Sequence, residues 1–132
     1  MALTANAAAD TPTAGAISAG LADVFRHERP TLLLLHEYLA QAARDQRVAD
    51  SYRDRQAALR SLLATTLRQR HDHTGVALTF DADRLALAMI ALAQGLAFES
   101  LIDPTAVDPA LFGDILNLIY DGLVLRASRP TE

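Results

Sequence analysis

From residue 15 onward, apolar positions recur at i, i+3, i+4 and i+7, and no stretch alternates as a strand would. Five helices are expected. Ile17, Leu21, Val24 and Phe25 give one buried face to a first helix, α1, over 15–28. Pro30 separates it from α2, over 30–43, and suits a first helical turn because no helical bond needs its missing N–H. Leu32 to Leu35 are four consecutive leucines, so α2 is apolar nearly all round and is expected at the centre of the fold. Arg44-Asp45 marks a joint. Val48, Tyr52, Leu59, Leu62, Leu63 and Leu67 then form one stripe of a long helix, α3, over 46–71. Arg47, Asp50, Arg53, Asp54, Arg60 and Arg68 supply its solvated side. At ~1.5 Å per residue α3 spans about 38 Å. Gly75 stands just beyond its end, as a stop signal.

Asp81 reads as the N-cap of α4, over 82–102, in which Glu99 is the only charge after Arg84. Asp108-Pro109 reads as N-cap and first-turn proline of α5, over 109–126. The polar positions of α5, Asp114, Asn117 and Asp121, form a narrow stripe among Leu111, Phe112, Ile115, Leu116, Leu118, Ile119, Leu123 and Val124. Both α4 and α5 are thus apolar over more than one face. In so small a domain one face of each covers the core, and a second copy of the chain is the simplest partner for the remainder. Gly95 in mid-helix costs about 1 kcal/mol against alanine. It has two readings: a close approach between helices of two copies, or packing against α3 or α5 inside one copy. The positions expected at the dimer interface are Leu92, Gly95, Leu96 and Glu99 of α4 with Leu111, Ile115, Leu118, Ile119 and Gly122 of α5.

Composition narrows the function. A chain of 132 residues fits one domain with a core. Residues 1–14 are Ala/Thr-rich with one charge, Asp10, and are expected to be a disordered tail ahead of a helical domain over 15–128. There is no cysteine, so no disulfide, thiolate nucleophile or zinc–cysteine site can form. All 12 basic residues are arginine, a sign of genomic base composition before any functional choice, and the net charge is −4. No basic stripe offers an electrostatic footprint for nucleic acid. No uncharged apolar run reaches the ~18–20 residues of a membrane span. The N-terminus lacks the basic and apolar regions of a signal peptide. A soluble, cytoplasmic, all-α protein is expected.

Catalytic patterns are missing. No glutamate has a histidine three residues on, as a di-iron bundle requires. No glycine run cradles a phosphate, and GAISAG, 15–20, misses the nucleophile elbow by one residue. His71-Asp72-His73 offers two metal-like ligands and no third; the same histidines suit the C-terminal dipole of α3. No enzyme activity, cofactor or metal is expected.

The segment LALAMIALAQGLAFESLIDPTAVDPALFGDILNLIYDGL resembles the last two helices of tetracycline-repressor (TetR) family regulators. Within that family it is similar to the group whose C-terminal domains are like that of the choline-responsive repressor. The Gly-Leu of α4, the connector with its two Asp-Pro pairs and the Asp-Gly-Leu of α5 carry the likeness. Upstream, LAQAARDQRVADSYRDRQAALRSLL resembles the family's joint and long helix, so the similarity covers roughly 30–126. It implies a five-helix domain whose last two helices pair with their symmetry mates as a four-helix bundle. It also implies a bacterial repressor relieved by a small molecule, bound in a cavity among α1, α2, α3 and α4. Family members carry an N-terminal helix-turn-helix of about fifty residues, and residues 1–14 cannot supply one; DNA binding is expected only through such a part.

Cavities of this kind are apolar with a few polar anchors. The candidate ligand contacts are His36, Tyr38 and Gln41 of α2, Tyr52 and Thr66 of α3, and Met89 and Phe98 of α4. The three on α2 cannot share one face, and each of the seven also fits ordinary packing. The low aromatic content, 5%, and the many Leu and Ala suggest walls for an apolar or amphipathic effector. A dimerisation module with no small ligand is the alternative; a cavity of several hundred Å³ separates the two.

Overall fold

A computed structural model of the chain describes residues 14–75 and 78–130, which form five α-helices and no strand. They are α1 Ala14–His27, α2 Arg29–Ala42, α3 Gln46–Thr74, α4 Ala82–Ile102 and α5 Leu111–Ala127. The expected tail lies in residues outside the described part, except Ala14, which opens α1. The side chains of Ile17, Leu21 and Phe25 also lie outside it; Val24, expected to be buried with them, is exposed.

Local chemistry sets the helix ends. The Asp45 carboxylate accepts from the Arg47 N–H at 2.9 Å and the Asp81 carboxylate from the Arg84 N–H at 2.9 Å, so α3 and α4 are capped. Gly75 closes α3 in the left-handed conformation, φ 67°, its N–H donating to the His71 carbonyl at 3.0 Å. α3 runs three residues beyond its expected end at 71, which puts His71 and His73 in its last turn. α5 starts at Leu111 instead of 109. Asp108 does not cap the helix: its carboxylate accepts from the Ala110 N–H at 2.7 Å and shapes the turn before it. Replacing Asp81 by alanine should cost about 1 kcal/mol, because the first turn of α4 loses its acceptor. Urea unfolding of the variant checks this; an unchanged midpoint would mean that tertiary contacts alone hold that turn.

The central helix is α4, which touches each of the other four. This corrects the expectation for α2, in which Leu32 alone is buried while Leu33 and Leu34 face outward. Two clusters meet on α4. Leu32 packs with Ala97 and Leu101 near its C-terminal end. Ala64 of α3 packs with Ala82 and Ala86 near its N-terminal end, walled by Leu63, Leu67 and Leu78. Ala64 and Ala86 are wholly inaccessible, so α3 and α4 approach through small residues. The α3 stripe is also corrected. Gln56 and Ala64 are buried, whereas Leu59 and Leu62 are exposed. Leu62 precedes Ala64 by two residues, about 200° round the helix. α5 packs chiefly on α1 and buries Phe112 and Leu116.

By length and composition alone α4 could cross a membrane. It touches all four of the other helices, and 33% of its most apolar window is buried.

Candidate functional site: an open apolar stripe, an aromatic cluster and a basic cleft

The face of α4 turned away from the core is apolar. Leu87, Ala91, Gly95, Phe98 and Ile102 are all exposed. Their spacings of four, four, three and four keep them within about 80° of one another. Ile102, at 74% exposure, is the most open large apolar side chain of the stripe. A Cβ added at Gly95 would meet nothing within 4 Å. Within one copy, therefore, no other helix approaches Gly95 closely, and packing against α3 or α5 does not account for it. Glu99 is exposed on the flank of the stripe, while Leu92 and Leu96 are half-buried and turn toward the bundle. On α5 Leu118 is exposed, and Leu111, Ile115, Ile119 and Gly122 are half-buried beside it. Of the stripe, Leu87, Ala91 and Ile102 were missed by sequence reasoning; their signal is the i, i+4 spacing through Gly95, hidden because α4 is apolar on every side.

The seven candidate ligand contacts separate into groups. His36 and Phe98 meet between α2 and α4, their ring centroids 5.0 Å apart. The His36 Nδ1 lies 2.7 Å from the Leu32 carbonyl. A carbonyl only accepts, so Nδ1 carries a proton, and in the neutral ring Nε2 is left as an acceptor. Tyr38 and Tyr52 meet between α2 and α3, with centroids 6.2 Å apart. Arg55 lies over Tyr38, its guanidinium carbon 5.8 Å from the ring centre. Gln94 of α4 reaches the Tyr52 hydroxyl at 3.5 Å, a long bond that ties the third helix to the pair. Gln94 and Arg55 carried no signal at the level of sequence. Met89 is half-buried. Gln41 and Thr66 are exposed, and the Thr66 hydroxyl donates to the Leu62 carbonyl of its own helix at 3.0 Å. The structure does not bring these two to the aromatic groups.

A cleft of about 400 Å³ lies elsewhere, where the α1–α2 junction faces the end of α4 and the connector to α5. Ala22, Arg26, Arg29, Ser100, Pro104, Val107 and Pro109 line it. The Arg29 Nη1 donates to the Leu101 carbonyl at 2.9 Å, which satisfies an end carbonyl of α4 and fixes the guanidinium. The connector is held by Asp103, whose carboxylate accepts from the Thr105 hydroxyl at 2.7 Å and from the Thr105 and Ala106 N–H groups at 3.1 and 3.3 Å. The Thr105 hydroxyl first, then those N–H groups, hold the Asp103 carboxyl below the usual range. Its contribution to the turn is present above the unfolded-state value and is lost as pH falls through the folded one. A second, smaller cavity of about 50 Å³ lies between the end of α3 and α5, among Leu67, Arg70, Tyr120 and Leu123.

With these elements in place, comparison with known families gives a match over residues 15–124, to the family described as "BetI-type transcriptional repressor, C-terminal". The chain belongs to this family of TetR-class C-terminal domains. Comparisons with curated proteins and with solved structures gave no match. The matched span runs from α1 to the last turns of α5, so the whole bundle belongs to the family domain. The family is one of transcriptional regulators, not of enzymes. Among the described residues no group of three His, Asp or Glu side chains is placed to hold a metal.

Proposed function

We propose that this chain is the dimerisation and effector-sensing domain of a TetR-like repressor. The single observation that carries the reading is the open stripe of α4, an apolar face opposite the buried one and centred on an unencumbered glycine. Two copies related by a two-fold axis cover the same stripe on each other, which is how a self-complementary interface forms. Leu111, Ile115, Leu118, Ile119 and Gly122 of α5, with Glu99 of α4, are proposed to extend this surface toward a four-helix interface, with the half-buried Leu92 and Leu96 at its inner edge.

Sensing is supported by the cleft, whose volume of about 400 Å³ lies in the range of small-molecule sites, whereas a pure interaction module needs none. The effector is a small apolar or amphipathic molecule. Outside the cleft, His36 with its Nε2 acceptor and the Tyr38–Tyr52–Gln94 cluster are the alternative polar anchors proposed for it between α2, α3 and α4, with Met89 as an apolar wall. Binding to the folded state alone stabilises it: at 100 times the dissociation constant the gain is about 2.7 kcal/mol.

Two measurements test this. Sedimentation at micromolar concentration should give twice the chain mass of 14.2 kDa; a single species at chain mass rejects the dimer. A thermal-shift panel of apolar and amphipathic metabolites should give hits of several degrees. A panel without hits favours the module that dimerises without a ligand. Hits that persist in His36→Ala remove His36 as an anchor and leave the sensor.

A further inference from the structure

The basic cleft sits on an acidic chain. Its two guanidiniums, Arg26 and Arg29, form no ion pair with any described carboxylate. Three acids that flank its lining residues make other hydrogen bonds. The Asp103 Oδ1 accepts three bonds within its own turn, the Asp108 Oδ1 accepts from the Ala110 N–H, and the Glu28 Oε2 accepts from the Thr31 hydroxyl at 3.1 Å. Arg29 spends one N–H on the Leu101 carbonyl and keeps the rest of its five donors. That bond also holds the guanidinium at the mouth of the cleft, so less side-chain freedom is lost when it meets a ligand. The remaining wall is apolar: Ala22, Pro104, Val107 and Pro109. Ser100 is buried and its hydroxyl already donates to the Ala97 carbonyl at 2.7 Å, so toward the cleft it offers lone pairs and no proton. Among the side chains that line the cleft, an anionic head therefore finds its donors on the two arginines.

We infer that this cleft binds the carboxylate head of a small amphipathic acid, with its apolar body against Pro104, Val107 and Pro109. The inference rests on the sensor reading and names the effector's chemical class. A guanidinium pair recognises a planar carboxylate by charge-assisted and, where geometry allows, bidentate bonds. The volume suits a body of medium-chain acyl or aryl size. The cleft joins the α1–α2 junction to the α4–α5 connector, so a ligand there ties the end of the central helix to the entrance of α5. That gives the ligand a route to the proposed dimer face.

The test uses the full chain, labelled with nitrogen-15, and two probes of equal chain length and opposite charge, octanoate and octylamine. Octanoate should bind saturably, with a dissociation constant below about 1 mM. The amide shifts should concentrate on residues 100–109 and around Arg29. Octylamine should give no saturable shift there. Arg26→Gln, which leaves the Arg29 bond to Leu101 in place, should weaken octanoate binding by about tenfold or more, the loss expected for a charged hydrogen bond. An unchanged circular dichroism spectrum and melting curve would show that the variant folds. Equal binding of both probes, an unchanged octanoate affinity in Arg26→Gln, or no saturation by octanoate overturns the inference. Effectors that bind at His36 or Tyr52 in the same titrations would leave the sensor reading standing while removing the acid site. A broader panel that binds nowhere removes both.

Discussion

Replacing Gly95 with leucine should move two measurements in opposite directions. In the isolated chain a Cβ at position 95 meets nothing, so the new side chain projects into solvent. The helix also loses its least favourable interior residue, worth about 0.5–1 kcal/mol of monomer stability. The melting temperature of the dissociated chain should therefore rise by a few degrees. In the proposed dimer the same side chain would enter the place where two α4 helices approach. Overpacking a fitted contact costs about 1–3 kcal/mol, and a two-fold dimer contains the site twice. The dissociation constant should rise by roughly thirtyfold or more. Sedimentation over a dilution series reads the second effect, and unfolding at the most dilute end reads the first. The dilution matters because loss of a partner lowers apparent stability by itself. Unchanged self-association would place the interface elsewhere. Ile102→Glu, at the open end of the stripe, should weaken the dimer in the same sense, since a carboxylate there is buried without a partner.

The run of four leucines in α2 gives the second large effect. Leu32→Ala should cost about 2–5 kcal/mol, because it removes the α2 side of the cluster with Ala97 and Leu101 and leaves a cavity. That is a large share of the 5–15 kcal/mol that holds an ordinary domain together. Leu34→Ala makes the same chemical change two residues away, on a side chain 65% exposed against 6% for Leu32. It should stay within about 0.5 kcal/mol. Urea midpoints of the two variants, measured side by side, decide the matter. Equal losses would mean that Leu34 is covered by a partner in solution, a result that sedimentation of the same variant would show as a change in mass.

The helix ends show why some features were legible. Asp81 caps α4 and Gly75 stops α3 through bonds that span three or four residues, so their signals are local. The connector differed by two residues at the start of α5, because Asp108 can cap a helix or close a turn and the chain's spacing permits both. The periodic stripe of α3 pointed to Leu59 and Leu62, yet the buried positions are Gln56 and Ala64. Close packing against α4 selects small side chains at the line of contact, and an alanine there carries less pattern than a leucine beside it.

The candidate site was legible in part. Gly95 drew notice as a helix residue out of place, and the stripe around it is set by i, i+4 spacing. The cleft was invisible: Arg26 and Arg29 are separated by more than 70 residues from Ser100, Pro104 and Val107, and only the return of α4 past the α1–α2 junction joins them. Tyr52 was noticed for its type, but its partner Gln94 is 42 positions away on another helix.

By itself the sequence determined an all-α chain of five helices, the helix ends at Gly75 and Asp81, and its family, because periodicity, capping and characteristic order all act along the chain. The tertiary structure alone decided which side of each apolar helix meets the core. α2 and α4 are apolar nearly all round, so burying one face or another releases similar free energy helix by helix. The choice is made only when α4 lies against four neighbours at once, which leaves Leu34 and the Gly95 stripe outside and gathers two arginines at its end.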